Sequence, residues 1–348
     1  MTSSAWPEAI GDVEELDDLL SRPTPAAIRA IGRLQGDLIV LGVGGKMGPT
    51  LARMARRASD AAGVSRRIIG VSRFGGSPAS RAHLEAHGIE TIAGDLLDQE
   101  FVASLPDVPN VIFMAGMKFG ATGNEPLTWA ENTYLPSLVC RRFRRSRIAA
   151  FSTGNVYGNV PAAGGGSVET DVPHPCGEYA MSCLGRERIF EYFSRTGGIP
   201  TAVIRLNYAI EMRYGVLVDL AQKVHAGLPI DLAMGYANVI WQGDASAATL
   251  YALADAGVPP LFLNVTGPER LSVRDLAARF GRLMGKPVRF TGSEAADALL
   301  SNAAEAVRRY GPPAVGLDLM MQWIARWIAA GGPTLGKPTH FEVRDGKF

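Results

Sequence analysis

The sequence has no excess of charge of either sign, because 35 Lys and Arg residues stand against 34 Asp and Glu residues. With a net charge of +1 over 348 residues, no overall field recruits nucleic acid or an anionic membrane surface. The strongest basic run, at 141–147, we interpret as a solvated helix end with arginines near the negative pole of the helix dipole. A nucleic-acid patch is the less favoured alternative, so we expect no nucleic-acid partner.

Cysteine and long apolar runs are also scarce. The three cysteines, Cys140, Cys176 and Cys183, lack metal-ligand spacing and leave one over from any disulfide pairing. This usage predicts no metal site and suits a reducing, cytoplasmic environment. No apolar run approaches the roughly 18 residues that span a bilayer, and the N-terminus does not resemble a signal peptide. We therefore expect no association with a membrane.

The chain does contain short apolar runs that alternate with helical patterns. The alternation is typical of stacked βαβ units and predicts an α/β fold with a doubly wound parallel sheet. The strand-like runs lie at 37–42, 66–72, 110–116, 147–153, 200–207 and 260–267.

A glycine-rich loop follows the first of these runs. Gly42, Gly45 and Gly48 form a G-x-x-G-x-x-G pattern, and Pro49 opens the next helix. Glycines let a backbone turn tightly and approach a pyrophosphate, while the helix N-terminus offers N–H groups to the anion. The position of the loop predicts dinucleotide binding by 42–48, including Lys46 and Met47, with a plain glycine turn as the alternative.

The second strand ends at Ser72 and Arg73, where an NAD-binding site usually carries an acidic residue for the ribose hydroxyls. A hydroxyl and a guanidinium suit the 2′-phosphate of NADP instead. The sequence therefore predicts that NADP(H) is favoured over NAD(H). An exposed arginine at a strand end is the alternative interpretation.

Further motifs follow in a recognisable order: "AGDLLD" (93–98), "MAGMKFG" (114–120), "FSTGNVYG" (151–158), "GEYAMSCLGRERIF" (177–190) and "NVTGPERLSVRDLA" (264–277). With the glycine loop, they resemble the extended short-chain dehydrogenase/reductase family of NAD(P)-dependent sugar epimerases and dehydratases. The likeness covers roughly residues 37 to 330. It implies a Rossmann fold, a nicotinamide cofactor and an enzyme that acts on a sugar.

The resemblance also implies roles for single residues. Thr153 and Tyr179 fall in the places of the catalytic hydroxyl and the tyrosine acid/base, and Asn132 falls in the place of an asparagine that braces the central helix. Family members commonly pair through two helices, which here lie around 130–145 and 179–193, so a homodimer is expected. The residues implied at the adenine and along the cofactor are Asp95, Leu96, Ala115, Gly116, Lys118 and Tyr179.

Cys183 stands where the family's Tyr-x-x-x-Lys box has its lysine. Tyrosine titrates near 10, so a base working near pH 7 needs its pKa lowered by about 3 units, or about 4 kcal/mol. Lys118, in "MAGMKFG", is the candidate for partial compensation, because a family epimerase has a lysine at the cofactor in the same element. We predict a slow enzyme whose activity rises toward alkaline pH, with Tyr179 essential and Lys118 contributing mainly to cofactor binding. The alternative is a non-catalytic, NADP-binding regulatory protein.

Two further departures from the family bear on the substrate. Gly154 and Asn155 replace the Asp-Glu pair of the dehydratases, which disfavours elimination. Ala237 replaces an arginine that grips the diphosphate of nucleotide sugars. We therefore expect epimerisation, oxidation or reduction at a carbinol carbon of a free or singly phosphorylated sugar or sugar acid. The alternative enzyme hypothesis is a reductase that acts on another small carbonyl compound. The candidate substrate-binding residues are Asn155, Asn207, Arg213 and Trp241.

These patterns divide the chain into three parts. We expect an N-terminal extension over 1–35 and a dinucleotide-binding Rossmann domain formed by 36–207 plus 237–266. A smaller, mostly helical substrate-binding region is expected from 208–236 plus 267–348. Such a region would cover the cleft at the carboxyl ends of the parallel strands.

Overall fold

A computed structural model describes residues 6–75 and 78–347. Within these ranges, seven strands form one parallel sheet and the others are two-residue strands. The strands are β1 (Leu38–Leu41), β2 (Ile68–Ser72), β3 (Glu90–Ala93), β4 (Asn110–Phe113), β5 (Arg147–Thr153), β6 (Val160–Pro161), β7 (Thr201–Leu206), β8 (Ala209–Ile210), β9 (Ile230–Asp231), β10 (Tyr236–Ala237), β11 (Ile240–Trp241), β12 (Leu261–Val265), β13 (Leu271–Ser272), β14 (Phe290–Thr291) and β15 (Asp297–Ala298).

Helices connect and cover these strands, and a π-helical turn over Ala130–Tyr134 precedes α7. They are α1 (Val13–Leu20), α2 (Pro25–Arg33), α3 (Gly48–Ala61), α4 (Pro78–Ala86), α5 (Gln99–Ser104), α6 (Glu125–Trp129), α7 (Leu135–Arg142), α8 (Gly177–Gly197), α9 (Val216–His225), α10 (Gln242–Ala254), α11 (Val273–Met284), α12 (Ala304–Tyr310) and α13 (Leu317–Ala329). No helix in the described ranges has the length and apolar character needed to cross a bilayer.

The main sheet has the strand order β12-β7-β5-β4-β1-β2-β3, and all of its pairings are parallel. The chain runs outward from β1 to β3 and then returns to β4 on the other side of β1. This reversal opens a crevice beyond the carboxyl ends of β1 and β4, where open α/β sheets bind their ligands. The doubly wound α/β fold that the sequence predicted is confirmed.

Helices bury both faces of this sheet. Side chains of α2, α3 and α10 pack on one face, and those of α5, α7 and α8 pack on the other. This is why β1 is buried along its whole length and appears in the sequence as an uninterrupted apolar run. A third core, around α9, α11 and α13, comes mainly from the predicted substrate-binding region, with Trp323, and also includes Trp241 from the segment assigned to the dinucleotide-binding domain.

The N-terminal helices belong to these cores. Ile31 of α2 is packed with the residues of α3 and α10, whereas Leu16 and Leu20 of α1 lie in the third core. The described part of the N-terminal segment therefore contacts both larger units, and residues 1–5 lie outside the described ranges. The division of the chain into three parts stays a prediction.

Candidate functional site

Two adjoining cavities occupy the crevice at the carboxyl ends of β1 and β4. The larger has a volume of about 320 Å³ and the smaller about 250 Å³. Gly42, Gly45 and Gly116 line both, so the cavities form one groove that passes over the glycine loop. An elongated molecule with different ends suits this shape, and the larger cavity falls in the size range of small-molecule sites.

The glycine loop has the backbone geometry that a dinucleotide requires. Gly42 has φ +90°, and a Cβ there would lie 2.7 Å from the backbone nitrogen of Ala115. A Cβ on Gly48 would lie 2.2 Å from the carbonyl oxygen of Val43. Helix α3 begins at Gly48 without a side-chain cap from Met47, so its first N–H groups face the groove for an anion. The loop thus fits the pyrophosphate of a nicotinamide dinucleotide.

The smaller cavity brings together the residues that the sequence assigned to the adenine half of the cofactor. Ser72, Arg73, Asp95, Leu96 and Ala115 all line it.

One lining residue of this cavity was not anticipated. Glu131, from the π-helical turn, has a carboxylate 3.6 Å from the Arg73 guanidinium. Burial raises the pKa of Glu131, and Arg73 opposes that rise. No sequence motif marks Glu131, because its place at the cavity depends on how the turn before α7 is wound. The adenine-side cavity therefore contains an acidic residue, Glu131, in contact with Arg73, although none follows the second strand in the sequence.

The larger cavity contains the predicted reaction centre. Thr153 at the end of β5, Tyr179 in the first turn of α8 and Lys118 in the loop after β4 line it, as do Asn155 and Asn207. The Tyr179 hydroxyl is hydrogen-bonded with Thr153 and with the Cys183 thiol. The Lys118 ammonium lies 5.6 Å from the centroid of the Tyr179 ring.

The electrostatics of the site keep Tyr179 protonated. Burial raises the pKa of Tyr179, and Cys183 adds to the rise, while Arg186 and the hydrogen bond with Thr153 oppose it. Burial lowers the pKa of Lys118 to about 8. Burial also raises the pKa of the Cys183 thiol, which therefore supplies no charge at neutral pH. In the protein without cofactor, Tyr179 consequently keeps its proton at neutral pH and is not available as a base.

Arg186 is a functional candidate that the sequence reasoning missed. It lies three residues after Cys183 on α8, is 6% exposed and lines the larger cavity. Its guanidinium donates to the carbonyl oxygen of Phe151 at 2.8 Å and to both oxygens of Asn132. A Cβ on Gly116 would lie 2.1 Å from this guanidinium, so glycine is required there. The spacing from Cys183, one helical turn, was the available signal.

Asn132 occupies the bracing position that the resemblance implied. Its side chain accepts from the backbone N–H of Met117 at 3.0 Å and donates to the Met117 carbonyl oxygen at 2.9 Å. It also donates to the hydroxyl of Ser182 at 2.9 Å. Asn132 therefore fixes the loop that carries Lys118 against the helix that carries Tyr179.

Two predicted substrate-binding residues do not reach the groove. Trp241 is 1% exposed and its ring packs 5.5 Å from the ring of Trp323, so it is a core residue. The Arg213 guanidinium is bound to Glu211 and, at 2.9 Å, to Asp17 of α1. Asp17 precedes Arg213 by 196 residues, a contact that no local pattern indicates.

Comparison with known proteins identifies the family to which this chain belongs. The profile of the NAD dependent epimerase/dehydratase family matches residues 38–241. No curated protein sequence matches the chain.

Several solved structures are similar in fold. The UDP-glucuronic acid 4-epimerase of Bacillus cereus, in complex with UDP-glucuronic acid and NAD, is 18% identical with a TM-score of 0.70, over 85% of this chain and 99% of that one. The dTDP-glucose 4,6-dehydratase of Streptomyces venezuelae, with NAD bound, is 18% identical with a TM-score of 0.71, over 85% and 97%. A UDP-glucose 4-epimerase of Thermotoga maritima is 16% identical with a TM-score of 0.68, over 85% of this chain and 99% of that one.

Proposed function

This chain belongs to the NAD-dependent epimerase/dehydratase family, and we propose that it transfers hydride at a carbinol or keto carbon of a sugar or sugar-like polyol. The observation that carries the proposal is the hydrogen-bonded pair of Tyr179 and Thr153 in the same groove as the glycine loop. Epimerisation through a keto form and net oxidation or reduction both use this pair.

The chemistry divides between the cofactor and the protein. A bound nicotinamide supplies or accepts the hydride. The Thr153 hydroxyl donates a hydrogen bond to the substrate oxygen, and the Tyr179 hydroxyl moves the proton at that oxygen. Because the pKa of Tyr179 is raised, the residue carries its proton at neutral pH and can accept one only as the pH rises. Reduction uses the protonated tyrosine and oxidation uses the ionised one, so oxidation should gain more than reduction from a rise in pH.

Elimination of water is not part of the proposal. Asn155 lines the larger cavity and has no acidic group, and Gly154 has no side chain that could protonate a leaving hydroxyl. A Cβ at Gly154 would meet the hydroxyl of Ser301 at 2.9 Å and Asn207 at 3.1 Å. The site thus supports redox chemistry without dehydration.

We propose a substrate smaller than a nucleotide sugar. Ala237 is fully buried in β10, so this position supplies no cation for a diphosphate. The similar solved structures do include nucleotide-sugar enzymes, and the test must therefore contain such sugars. We expect reduced nicotinamide to appear by absorbance when the protein and NADP⁺ meet a free or singly phosphorylated polyol or sugar acid. Turnover of a UDP- or dTDP-sugar alone would contradict this part of the proposal.

We further propose NADP(H) as the preferred cofactor, because Ser72 and Arg73 line the adenine-side cavity. Calorimetry should show tighter binding of NADP(H) than of NAD(H), by about tenfold for one phosphate contact worth about 1.4 kcal/mol. Arg73→Ala should remove the difference by weakening NADP(H) alone.

Glu131→Gln is the matched variant for this measurement. It removes the carboxylate that now pairs with Arg73, so it should strengthen NADP(H) binding and leave the arginine in place. Equal affinities for the two cofactors in the parent protein would refute the role assigned to Arg73.

A non-catalytic NADP-binding regulator is the second candidate, favoured by the raised pKa of Tyr179 and by the neutral Cys183 beside it. The purified protein distinguishes the two. An epimerase keeps its cofactor through each cycle, so retained nicotinamide would support it, whereas freely exchanging cofactor with no turnover on any polyol would support the regulator.

A homodimer in the cytoplasm completes the proposal. Tyr134 before α7 and Met181 and Tyr192 on α8 are exposed large apolar side chains on the two helices through which pairing is expected. A second copy of the chain would cover them.

A further inference from the structure

One lysine of the glycine loop, Lys46, is held against two aromatic rings in the larger cavity. The Lys46 ammonium lies 3.2 Å from the centroid of the Tyr214 ring and 4.2 Å from that of Phe119. Tyr214 belongs to the segment between β8 and α9, on the substrate side of the larger cavity. The two rings meet edge to face at 6.4 Å, so they form a fixed corner that holds the ammonium.

The cavity around this lysine is lined by basic side chains. Among the described residues that line it, Lys46, Lys118 and Arg186 are basic and none is Asp or Glu. The Arg186 guanidinium is covered by the oxygens of Asn132 and Phe151. Lys46 has instead the quadrupoles of two rings, which stabilise a cation without neutralising it.

The acidic groups nearest Lys46 are engaged with other partners. Asp219 of α9 accepts hydrogen bonds from the backbone N–H and the hydroxyl of Thr339. Glu211 accepts from the backbone N–H of Arg213 at 2.7 Å and from its guanidinium. Neither carboxylate can turn to Lys46 without breaking these bonds, so an anion for this ammonium has to come from outside the chain.

The ionisation of Lys46 agrees with this arrangement. Burial lowers the pKa of Lys46 to about 7, and Lys118 and Lys337 lower it further by repulsion, while Asp219 and Glu211 oppose the change. These four groups come from the loop after β4, the C-terminal segment, α9 and the loop before α9. An anion placed at the ammonium would reverse the repulsion and restore the charge.

We propose that Lys46 anchors an anionic group, a carboxylate or a phosphate, of the substrate. This inference rests on the proposed function, because it places the reacting carbinol carbon at Tyr179 and the anion at Lys46, and both residues line the same cavity of about 320 Å³. The Lys46 and Lys118 ammonium groups lie 4.2 and 5.6 Å from the centroid of the Phe119 ring, and Lys118 lies 5.6 Å from that of Tyr179. Phe119 and Lys118 therefore connect Lys46 with Tyr179 along the cavity lining.

Calorimetry on the NADP⁺-saturated Tyr179→Phe variant tests the anchor without turnover. Three probes are compared: a hexuronate, a hexose phosphate and the uncharged hexose of the same configuration. We expect at least one charged probe to bind about tenfold more tightly than the uncharged hexose, as one charge-assisted hydrogen bond would provide. Tighter binding of the hexuronate or of the hexose phosphate identifies the anion.

Substitutions assign the effect to Lys46. Lys46→Met should abolish the preference for the charged probe, and Lys46→Arg should keep it. Lys337→Met is the matched control, because Lys337 is exposed, lies outside the cavity lining and also influences Lys46. It should leave the preference in place.

Proton uptake gives a second readout. Lys46, with a pKa of about 7, loses its proton as the pH rises and must be protonated to hold the anion. Calorimetry in two buffers of different ionisation enthalpy, near pH 8, should therefore show proton uptake with the charged probe in the parent and clearly less in Lys46→Met, where Lys118, with a pKa of about 8, is the remaining lysine of the cavity lining that can take up a proton.

Two results would overturn the anchor. In one, Lys46→Met weakens NADP⁺ binding and keeps the preference for the charged probe, which would assign the ammonium to the pyrophosphate. In the other, all three probes bind equally. Failure of the proposed function looks different: charged probes still bind through Lys46, but the protein with Tyr179 intact turns none of them over.

Discussion

Tyr179→Phe should lower turnover by about 10²–10⁴-fold, the range that a positioned acid or base contributes. The ring would stay in its place beside Lys118 and only the hydroxyl that bonds with Thr153 would be lost. Binding of NADP(H) should change much less, since the glycine loop and the N-terminus of α3 hold the phosphates. Steady-state rates on an accepted substrate and calorimetric cofactor binding together measure the two effects.

Tyr157→Phe is the matched control for this result. Tyr157 is 4% exposed in the same small cluster as Cys183, and its hydroxyl donates to Asn264 at 2.8 Å and accepts from Arg205 at 2.7 Å. Loss of this hydroxyl should lower the free energy of unfolding by about 1–3 kcal/mol. The folded fraction of the variant should have the same turnover as the parent protein. Full turnover by Tyr179→Phe would make that tyrosine a structural residue and remove the proposed mechanism.

The pattern of apolar runs was enough to predict the sheet, with one exception. All six predicted runs contain strands of the main sheet, because strands covered on both faces consist mostly of apolar side chains. Strand β3 was missed. It is an edge strand in which none of the four residues is buried, and "ETIA" therefore has no apolar run to detect.

The motifs predicted which residues meet at the groove but not how their charges are arranged. Gly42 follows strand β1, Thr153 ends strand β5, and Tyr179 lies in the first turn of helix α8. All three places are at the carboxyl edge of the sheet, so topology alone brings these residues together. Arg186 and Glu131 depend on side-chain directions across α8 and the π-helical turn, which no spacing rule fixes. From the sequence, replacing the family's lysine by Cys183 removed the nearby positive charge on helix α8. The structure shows that, although burial raises the pKa of Tyr179, the buried Arg186 on the same helix still opposes that rise.

Lys118→Met should reduce turnover by about 30-fold or more at pH 7. An ammonium about 6 Å from the tyrosine contributes about 2–3 kcal/mol to its ionised form at an effective dielectric near 20. Because the pKa of Lys118 is about 8, its charge is present below that pH and is lost above it. The advantage of the parent over the variant should therefore shrink as the pH rises beyond 8, and oxidation by the parent should level off there. Oxidation by Lys118→Met should keep rising, since only Tyr179 then titrates.

Moving the lysine back to the helix tests whether Lys118 acts through its charge at Tyr179. Cys183→Lys alone puts a second ammonium into a fully buried position beside Lys118, so it should cost stability and give little activity. The double variant Cys183→Lys with Lys118→Met keeps one cation near the tyrosine, and its turnover should recover to at least the parent level. Thermal unfolding separates loss of folding from loss of catalysis in both proteins. If the double variant folds, binds NADP(H) and turns over no faster than Lys118→Met, then the lysine does not act on Tyr179. In that case its effect would lie in cofactor binding, and Lys118→Met would show a weaker affinity for NADP(H).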